Sequence, residues 1–432
     1  MTDSVVSQDP SGGAVPPASY DRRDAARPEF DPFRIVPLGH RLNRVPTRRI
    51  GLLYLALLII TVGVCVIEGT LGSYLRPYDD LRLALGLNAP PSPPEFPLLR
   101  DTPSIWFLAT IVLTCMLVHR QWLLMSTCIP KLKANGVIRG RRHDEGPVVK
   151  RNFAQRRVGK MMRGRSTDED ELDIVLAQVA RYIGFFERNS WLPAVCACLL
   201  ACLLVVGQQK GLFTSIAPDA LEGAARSRWL DDTYQSWWAS NNHLLGLATY
   251  FVVASFGLYV IICQNIVGVV TVYFVIAMFS CAHIDADWTN QDGRHGWRPI
   301  AEIFRTVYLS LILHGLALIV ILVAIGPAQY VWVFGMLAIW LIVTPLYLLA
   351  PYAVFRRVER AAKSARSDYL AGRLVAARQD HDLAREAAIG SMYREMHAAR
   401  IRPLRFGWSG AAATFTILLT IALWVIQQFL PD

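Results

Sequence analysis

A forty-residue apolar stretch constrains the fold of this chain more than any other feature. Residues 244–283 read LLGLATYFVVASFGLYVIICQNIVGVVTVYFVIAMFSCAH. Soluble domains seldom carry uncharged apolar segments long enough to cross a bilayer, which needs about 20 helical residues. Only 18% of the 432 residues are charged, a lower share than globular chains usually have. The sequence therefore predicts an all-α, polytopic integral membrane helix bundle.

Apolar runs elsewhere predict about seven transmembrane helices plus one re-entrant or interfacial helix. Outside the central run, the predicted spans are 50–67, 104–125, 191–207, 304–325, 330–354 and 407–430. The chain divides into a disordered basic tail (1–49), two spans with a Pro-rich external loop (50–125), a basic cytoplasmic loop with an amphipathic helix (126–190), the main bundle (191–354) with an Asp/His loop at 283–299, a cytoplasmic basic helix (355–406) and a C-terminal span (407–432).

The distribution of basic residues predicts the orientation. The tail, the loop 126–190 and the segment 355–405 carry eight, fourteen and twelve Lys and Arg, whereas the two loops assigned to the outside carry three each. Basic residues are retained on the cytoplasmic side of a membrane. We therefore expect a bacterial inner-membrane protein with a cytoplasmic N terminus and an external C terminus.

This orientation requires the central run to cross the membrane an odd number of times. We predict one crossing at 244–263, a break at Gln264 and Asn265, and a second helix at 266–280 that does not cross. Polar amides suit a helix break because freed backbone groups need partners. Two crossings are the alternative, and they would place the following loop and the long basic helix outside.

The loop after the run is the candidate functional site, because carboxylates and imidazoles at this density can hold a divalent cation. The candidate metal ligands lie within thirteen residues: His283, Asp285, Asp287, Asp292 and His295. Their spacing does not fit a calcium-binding EF-hand loop. The alternative is an ordered structural turn, with Asp292 and Gly293 supplying its geometry. Trp288 and Trp297 indicate that the loop packs against other elements.

Three polar residues are expected within the membrane: Gln264, Asn265 and His314. An intramembrane histidine suggests a proton or ion path, but no acidic partner lies in a predicted span, so a hydrogen bond to a neighbouring helix is favoured. Cys196, Cys198 and Cys202 form a cluster that could hold a soft metal. Close packing of small residues is favoured there, because thiolates in lipid are costly.

No sequence motif assigns a reaction, and the chain resembles no family closely enough to transfer residues from it. We predict a non-enzymatic sensor, scaffold or gated pore, without an obligatory cofactor. The alternative is a metal-dependent membrane enzyme or transporter that uses the Asp/His loop. Expected partners are the lipid bilayer, anionic lipids at the basic segments and further copies of this chain. Nucleic acid is not expected, because acids interrupt the basic helix.

Overall fold

A computed structural model describes residues 30–37, 39–72, 96–140, 171–216, 221–290, 292–325, 330–399 and 401. Their secondary structure is almost entirely helical, so the all-α prediction is confirmed. The helices are α1 Gly39–Leu42, α2 Thr47–Ile67, α3 Thr102–Ala134, α4 Glu171–Arg188, α5 Trp191–Ile216, α6 Gly223–Gln235, α7 Leu244–Cys281, α8 Arg298–Ile325, α9 Tyr330–Gln379 and α10 Leu383–Ala398. Two 3-10 turns (Pro32–Ile35 and Leu98–Arg100) and two short strands (β1 Ile138–Gly140 and β2 Ala282–Ile284) complete the described fold.

Three helices in the described part of the chain are long and apolar enough to cross a membrane. They are Thr47–Ile67, Ser104–Ala134 and Leu244–Val275. The bent pair Glu171–Arg188 and Trp191–Gly207, with a 57° angle between its helices, adds a fourth if it counts as one span. The described residues therefore contain three or four candidate spans rather than about seven. The predicted final span, 407–430, lies outside the described residues, and α8 and α9 supply helical backbone at 304–325 and 330–354.

The central apolar run forms one unbroken helix. α7 has 38 residues, which makes it ~57 Å long, nearly twice the hydrocarbon thickness. The predicted break at Gln264 and Asn265, and with it the separate re-entrant or interfacial helix, is therefore wrong. Asn265 Nδ2 donates to the carbonyl of Ile261 (2.9 Å) within the same helix. Gln264 finds its partners on α3, so neither amide needs a freed backbone group.

A large apolar core surrounds the second half of α7, and we call it the loop-side core. Its buried side chains come from the N-terminal 3-10 turn, α3, α4, α7, α8 and α9, and from the loop that holds Trp297. The amphipathic helix predicted in 126–190 is α4, and its predicted stripe is buried as expected (Leu172, Val175, Leu176, Val179 and Ile183). The prediction of a disordered tail up to residue 49 is wrong from Phe30 onwards, since Phe30, Phe33 and Ile35 enter this core.

A second core lies where α3 and α7 begin, and we call it the tryptophan core. It contains Trp229, Trp237 and Trp238 with side chains from α2, α3 and α7. Tryptophans in membrane proteins favour the lipid headgroup layer, but all three of these side chains are buried within the protein. Between the two cores, α5 packs along α7. Ala197 and Ala201 of α5 are buried while Cys198 and Cys202 are exposed, which agrees with packing through small residues.

The long basic segment forms a helical hairpin. α9 continues without interruption through 50 residues, and α10 returns alongside it. The chain reverses at Asp380–Asp382, where His381 has a positive φ of 53°. Gly372 of α9 and Gly390 of α10 both lie within regular helix. Leu370, Ala377, Ile389 and Met396 form the small core of the hairpin, and Trp288 from the Asp/His loop packs against it.

Candidate functional site

The Asp/His loop begins at a two-stranded connection. β2 pairs antiparallel with β1, and Arg139 lies opposite His283 in the register. The backbone N–H of Asp285 then donates to the carbonyl of Val137 (3.0 Å). His283 and Asp285 are exposed on this short sheet edge. The end of α7 is thereby tied to the segment that follows α3.

The carboxylates of the loop accept hydrogen bonds from its own backbone. Asp287 Oδ1 accepts from the N–H of Thr289 (2.9 Å). Asp292 Oδ1 accepts from the N–H groups of Arg294 (2.7 Å) and Gly296 (2.9 Å). Asp292 Oδ2 accepts from the N–H of Arg298 (3.2 Å), the first residue of α8. Asp292 therefore holds the loop closed and places a negative charge at the positive end of the α8 dipole.

His295 and Trp297 anchor the loop in the protein interior. Nδ1 of the buried His295 lies 3.1 Å from the carbonyl oxygen of Asp287, and the His295 N–H donates to Asn290 Oδ1 (2.9 Å). The Trp297 side chain is 0% exposed, and its indole N–H donates to the carbonyl of Asp285 (2.9 Å). The expectation that the tryptophans pack against other elements is confirmed.

The structure does not bring the five candidate metal ligands into one coordination sphere. In the part of the chain that it describes, no group of three or more His, Cys, Asp or Glu side chains is arranged to hold a metal ion. The local geometry is that of an ordered turn, in which Asn290 and His295 adopt positive φ values of 52°. Metal binding by His283, Asp285, Asp287, Asp292 and His295 stays a prediction.

A cleft beside this loop has mixed charge. Its volume is about 350 Å³. It is lined by Leu124, Lys131, Asn135, Asp292, Arg298, Pro299 and Glu302. Arg298 and Glu302 form an ion pair across one turn of α8 (2.8 Å). The Asp292 carboxylate is occupied by backbone donors, so Lys131 supplies the remaining charge of the lining.

Gln264, which the sequence placed at a helix break, instead connects two helices. The indole N–H of Trp122 donates to Gln264 Oε1 (3.0 Å), and Gln264 Nε2 donates to Gln121 Oε1. Both partners lie on α3. We call this group the amide clamp. His314 lies within α8, but its side chain is outside the described part of the structure.

A buried carboxylate, which the sequence reasoning did not single out, organises the tryptophan core. Asp101 is 1% exposed, and its Oδ2 accepts hydrogen bonds from Ser104 Oγ (2.6 Å), Trp237 Nε1 (2.7 Å) and Trp238 Nε1 (2.8 Å). Its Oδ1 accepts from the N–H of Ser104 (3.2 Å), which caps α3. The signal available in the sequence was an aspartate followed by Thr102 and Pro103 immediately before an apolar run.

Glu68 closes the same end of the molecule. It follows α2, and its two carboxylate oxygens accept from the N–H groups of Leu245 and Gly246, at 2.9 Å each. These are the second and third residues of α7, whose N–H groups have no acceptor within the helix, so a side chain that follows one helix caps another. Through Asp101 and Glu68, the starts of α3 and α7 are fixed relative to α2 and to the segment that holds Trp237 and Trp238.

Comparisons with protein-family models, with curated proteins and with solved structures found no match for this chain.

Proposed function

We propose that this chain is a non-enzymatic, multi-span protein of the bacterial inner membrane that transmits structural changes between its two ends. In the proposed topology it crosses the membrane an odd number of times, so that its C terminus lies outside. Its N terminus, the Asp/His loop and the α9–α10 hairpin lie in the cytoplasm, and the tryptophan core faces outside. The loop-side core is then the receiving or signalling end of a sensor.

One observation carries this proposal: α3 and α7 each run without a break from the tryptophan core to the loop-side core. They have 33 and 38 residues, or ~50 and ~57 Å. Both begin at buried or bonded carboxylates, Asp101 and Glu68, and the amide clamp joins them along the way. A packed helix pair moves largely as a rigid body, so a shift at one end displaces the other.

Amide hydrogen exchange on the full-length protein tests the coupling. The variant Asp101→Asn alters the tryptophan core, and Leu53→Ala, at an exposed position on α2, is the matched control within a span. At temperatures well below the thermal unfolding midpoint, we expect Asp101→Asn to speed amide exchange in 135–140 and 282–297. Leu53→Ala is expected to leave the exchange rates of those segments unchanged. Faster exchange confined to 96–101 and 236–246 would contradict the coupling.

Reporter fusions test the topology separately. Fusions after Asp287 and after Lys363 are expected to report a cytoplasmic location, because α7 and the basic hairpin would both end there. A periplasmic signal at either position would overturn the proposed orientation. Because residue 242 is external in the proposed topology, a cytoplasmic signal at both sites supports an odd number of crossings between residues 242 and 287.

A further inference from the structure

The segment that joins the N-terminal 3-10 turn to α2 displays a dense group of arginines. Arg41, Arg44, Arg48 and Arg49 fall within nine residues, and all four side chains are exposed. None of them forms an ion pair with another residue in the part of the chain that the structure describes. Exposed guanidinium groups at this density attract an anionic partner. We call residues 39–49 the arginine elbow.

The start of α2 adds positive potential to the arginine elbow. Pro46 occupies the N-cap position, so no side chain accepts a hydrogen bond from the first turn. The first turn also contains no acidic residue. A helix N terminus carries a partial positive charge and free N–H donors. By contrast, carboxylates accept hydrogen bonds at the starts of three other helices: Asp101 at α3, Glu68 at α7 and Asp382 at α10.

The backbone of the arginine elbow is fixed by the protein rather than loosely tethered. His119 of α3 contacts it twice, with Nε2 3.0 Å from the carbonyl oxygen of Leu42 and Nδ1 3.2 Å from Thr47 Oγ1. The ring of Phe33 packs edge-on against His119, with centroids 5.4 Å apart. The guanidinium groups therefore extend from an ordered backbone, which lowers the entropic cost of binding a ligand.

The length of α2 places these arginines at the depth of lipid headgroups. The helix has 21 residues, or ~31 Å, which matches the ~30 Å hydrocarbon core of a bilayer. Its exposed face is apolar, with Leu52, Leu53, Ile59 and Ile60 open to the surroundings. When α2 spans the membrane, Arg48 and Arg49 lie at one boundary and Glu68 lies at the other.

We propose that the arginine elbow is a binding site for the phosphate headgroup of anionic phospholipids in the cytoplasmic leaflet. Arg48 and Arg49 bind the phosphate oxygens, and Arg41 and Arg44 extend the positive surface along the membrane. Guanidinium groups bind phosphate oxygens through two parallel N–H donors, and an anionic phospholipid presents its phosphate at the membrane boundary where these arginines lie. The inference rests on the proposed function in one respect, the cytoplasmic location of Thr47.

Native mass spectrometry of the full-length protein in detergent tests the site. The probes are phosphatidylglycerol and the zwitterionic phosphatidylcholine. We expect the wild-type protein to retain phosphatidylglycerol preferentially, and the double variant Arg48→Gln/Arg49→Gln to bind it about 30-fold more weakly, the equivalent of ~1 kcal/mol for each basic residue near an anionic surface. The control is Arg373→Gln/Arg394→Gln, which removes the same charge from the α9–α10 hairpin and is expected to bind as the wild type does.

Several outcomes would overturn the site. They are unchanged phosphatidylglycerol binding in Arg48→Gln/Arg49→Gln, an equal loss in the control pair, and full competition by inorganic phosphate at the same concentration, which would assign the elbow to a soluble anion. If the glutamine variant does not fold, Arg48→Lys/Arg49→Lys keeps the charge but loses paired donation, and we expect an intermediate affinity. Retained wild-type affinity in that variant would contradict recognition by paired guanidinium donors.

The failure of this inference differs from a failure of the proposed function. Binding in detergent does not depend on which side of a membrane the elbow faces, whereas the reporter fusions after Asp287 and Lys363 do. Cytoplasmic reporters with no lipid preference would refute the lipid site alone. Periplasmic reporters with a retained preference would refute the orientation and leave the phosphate site in place.

Discussion

At the scale of single residues, the buried carboxylate of Asp101 joins α3 to the segment that holds Trp237 and Trp238. Its Oδ2 accepts hydrogen bonds from three side chains, Ser104 of α3 and the neighbouring Trp237 and Trp238. Two of those donors are indole N–H groups, and the tryptophans are 0% and 1% exposed. A buried donor without its acceptor costs about 1–3 kcal/mol, so the energy at stake exceeds that of an average surface contact.

Replacing Asp101 with asparagine is expected to destabilise the protein almost as much as replacing it with alanine. The amide keeps one accepting oxygen, so in either orientation its N–H₂ group faces at least one donor that the carboxylate now accepts from. We expect each variant to lose about 2–4 kcal/mol of unfolding free energy, measured as a lower thermal midpoint in detergent. Glu68→Gln is the comparison, because its remaining oxygen still accepts from one N–H group of α7, and it should lose less. A stable Asp101→Asn variant would contradict the geometry.

Two glycines of the Asp/His loop provide a matched test of its close packing. Both have positive φ values, +83° at Gly296 and +68° at Gly293. A Cβ on Gly296 would lie 2.4 Å from Val137 Cγ1, whereas one on Gly293 would meet no atom within 4 Å. We expect Gly293→Ala to cost about 1 kcal/mol from backbone strain. Gly296→Ala should cost roughly 2 kcal/mol more through the steric clash, as seen in thermal unfolding.

At the scale of the secondary structure elements, the amide clamp explains why α7 stays intact where the sequence suggested a break. Gln264 is satisfied by Trp122 and Gln121 of α3, while Asn265 bonds its own helix. A polar residue in an apolar helix therefore marks a contact with a neighbouring helix here. Its partners lie 142 and 143 residues away in the sequence, so no local pattern could reveal them.

A pair of substitutions separates these two amides. Gln264→Leu removes the bonds between α3 and α7 and leaves the Trp122 indole N–H without its acceptor. We expect it to lose about 1–2 kcal/mol of stability. Asn265→Leu removes only a bond within α7 and is expected to change stability by less than about 0.5 kcal/mol. Thermal unfolding in nanodiscs measures both, and equal effects would show that the clamp does not connect the helices energetically.

At the scale of the whole molecule, the N-terminal segment joins elements that are distant in the sequence. Phe30 stacks on Phe274 of α7, with ring centroids 5.6 Å apart, and Arg34 pairs with Glu187 of α4 at 2.6 Å. Asp31 caps this segment by accepting from the N–H of Phe33 (3.1 Å). Burial raises the pKa of the Asp31 carboxyl above its ordinary value of 3.8, although this hydrogen bond and Arg34 act in the opposite direction.

The raised pKa of Asp31 predicts a dependence of stability on pH. The folded protein binds the proton more tightly than the unfolded chain, so stability falls as pH rises from 3.8 through the raised pKa and is constant above it. Asp31→Asn keeps an oxygen for the cap and removes the charge. We expect this variant to unfold at a higher temperature than the wild type at pH 7, with the difference closing as pH approaches 4. Asp231→Asn, at an exposed position on α6, is the control for the loss of one negative charge.

The sequence predicted the helices well and their connections poorly, for one physical reason. An apolar run or a stripe such as the one on α4 is a local property, so helix positions follow from it. Asp101, Glu68 and Gln264 each act through partners more than 130 residues away. The same holds for Trp229, Trp237 and Trp238. Tryptophan as a residue type favours the lipid headgroup layer, whereas the contacts of these three side chains place them in a protein core. The Asp/His loop was predictable in part. Its turn geometry depends on neighbouring residues and could be predicted, whereas the burial of Trp297 depends on distant elements and could not.

The cap that Glu68 places on α7 sets an order in which the protein must assemble. The carboxylate is translated 177 residues before the Leu245 N–H group that it binds. At ~5–20 residues per second, the interval is on the order of 9–35 s. Asp101 is likewise translated 136 residues before Trp237, whose indole N–H it accepts from. During synthesis, α2 and α3 therefore carry carboxylates whose final donors have not yet been translated. The tryptophan core is thus a late product of biogenesis, completed when the second half of the chain reaches the first.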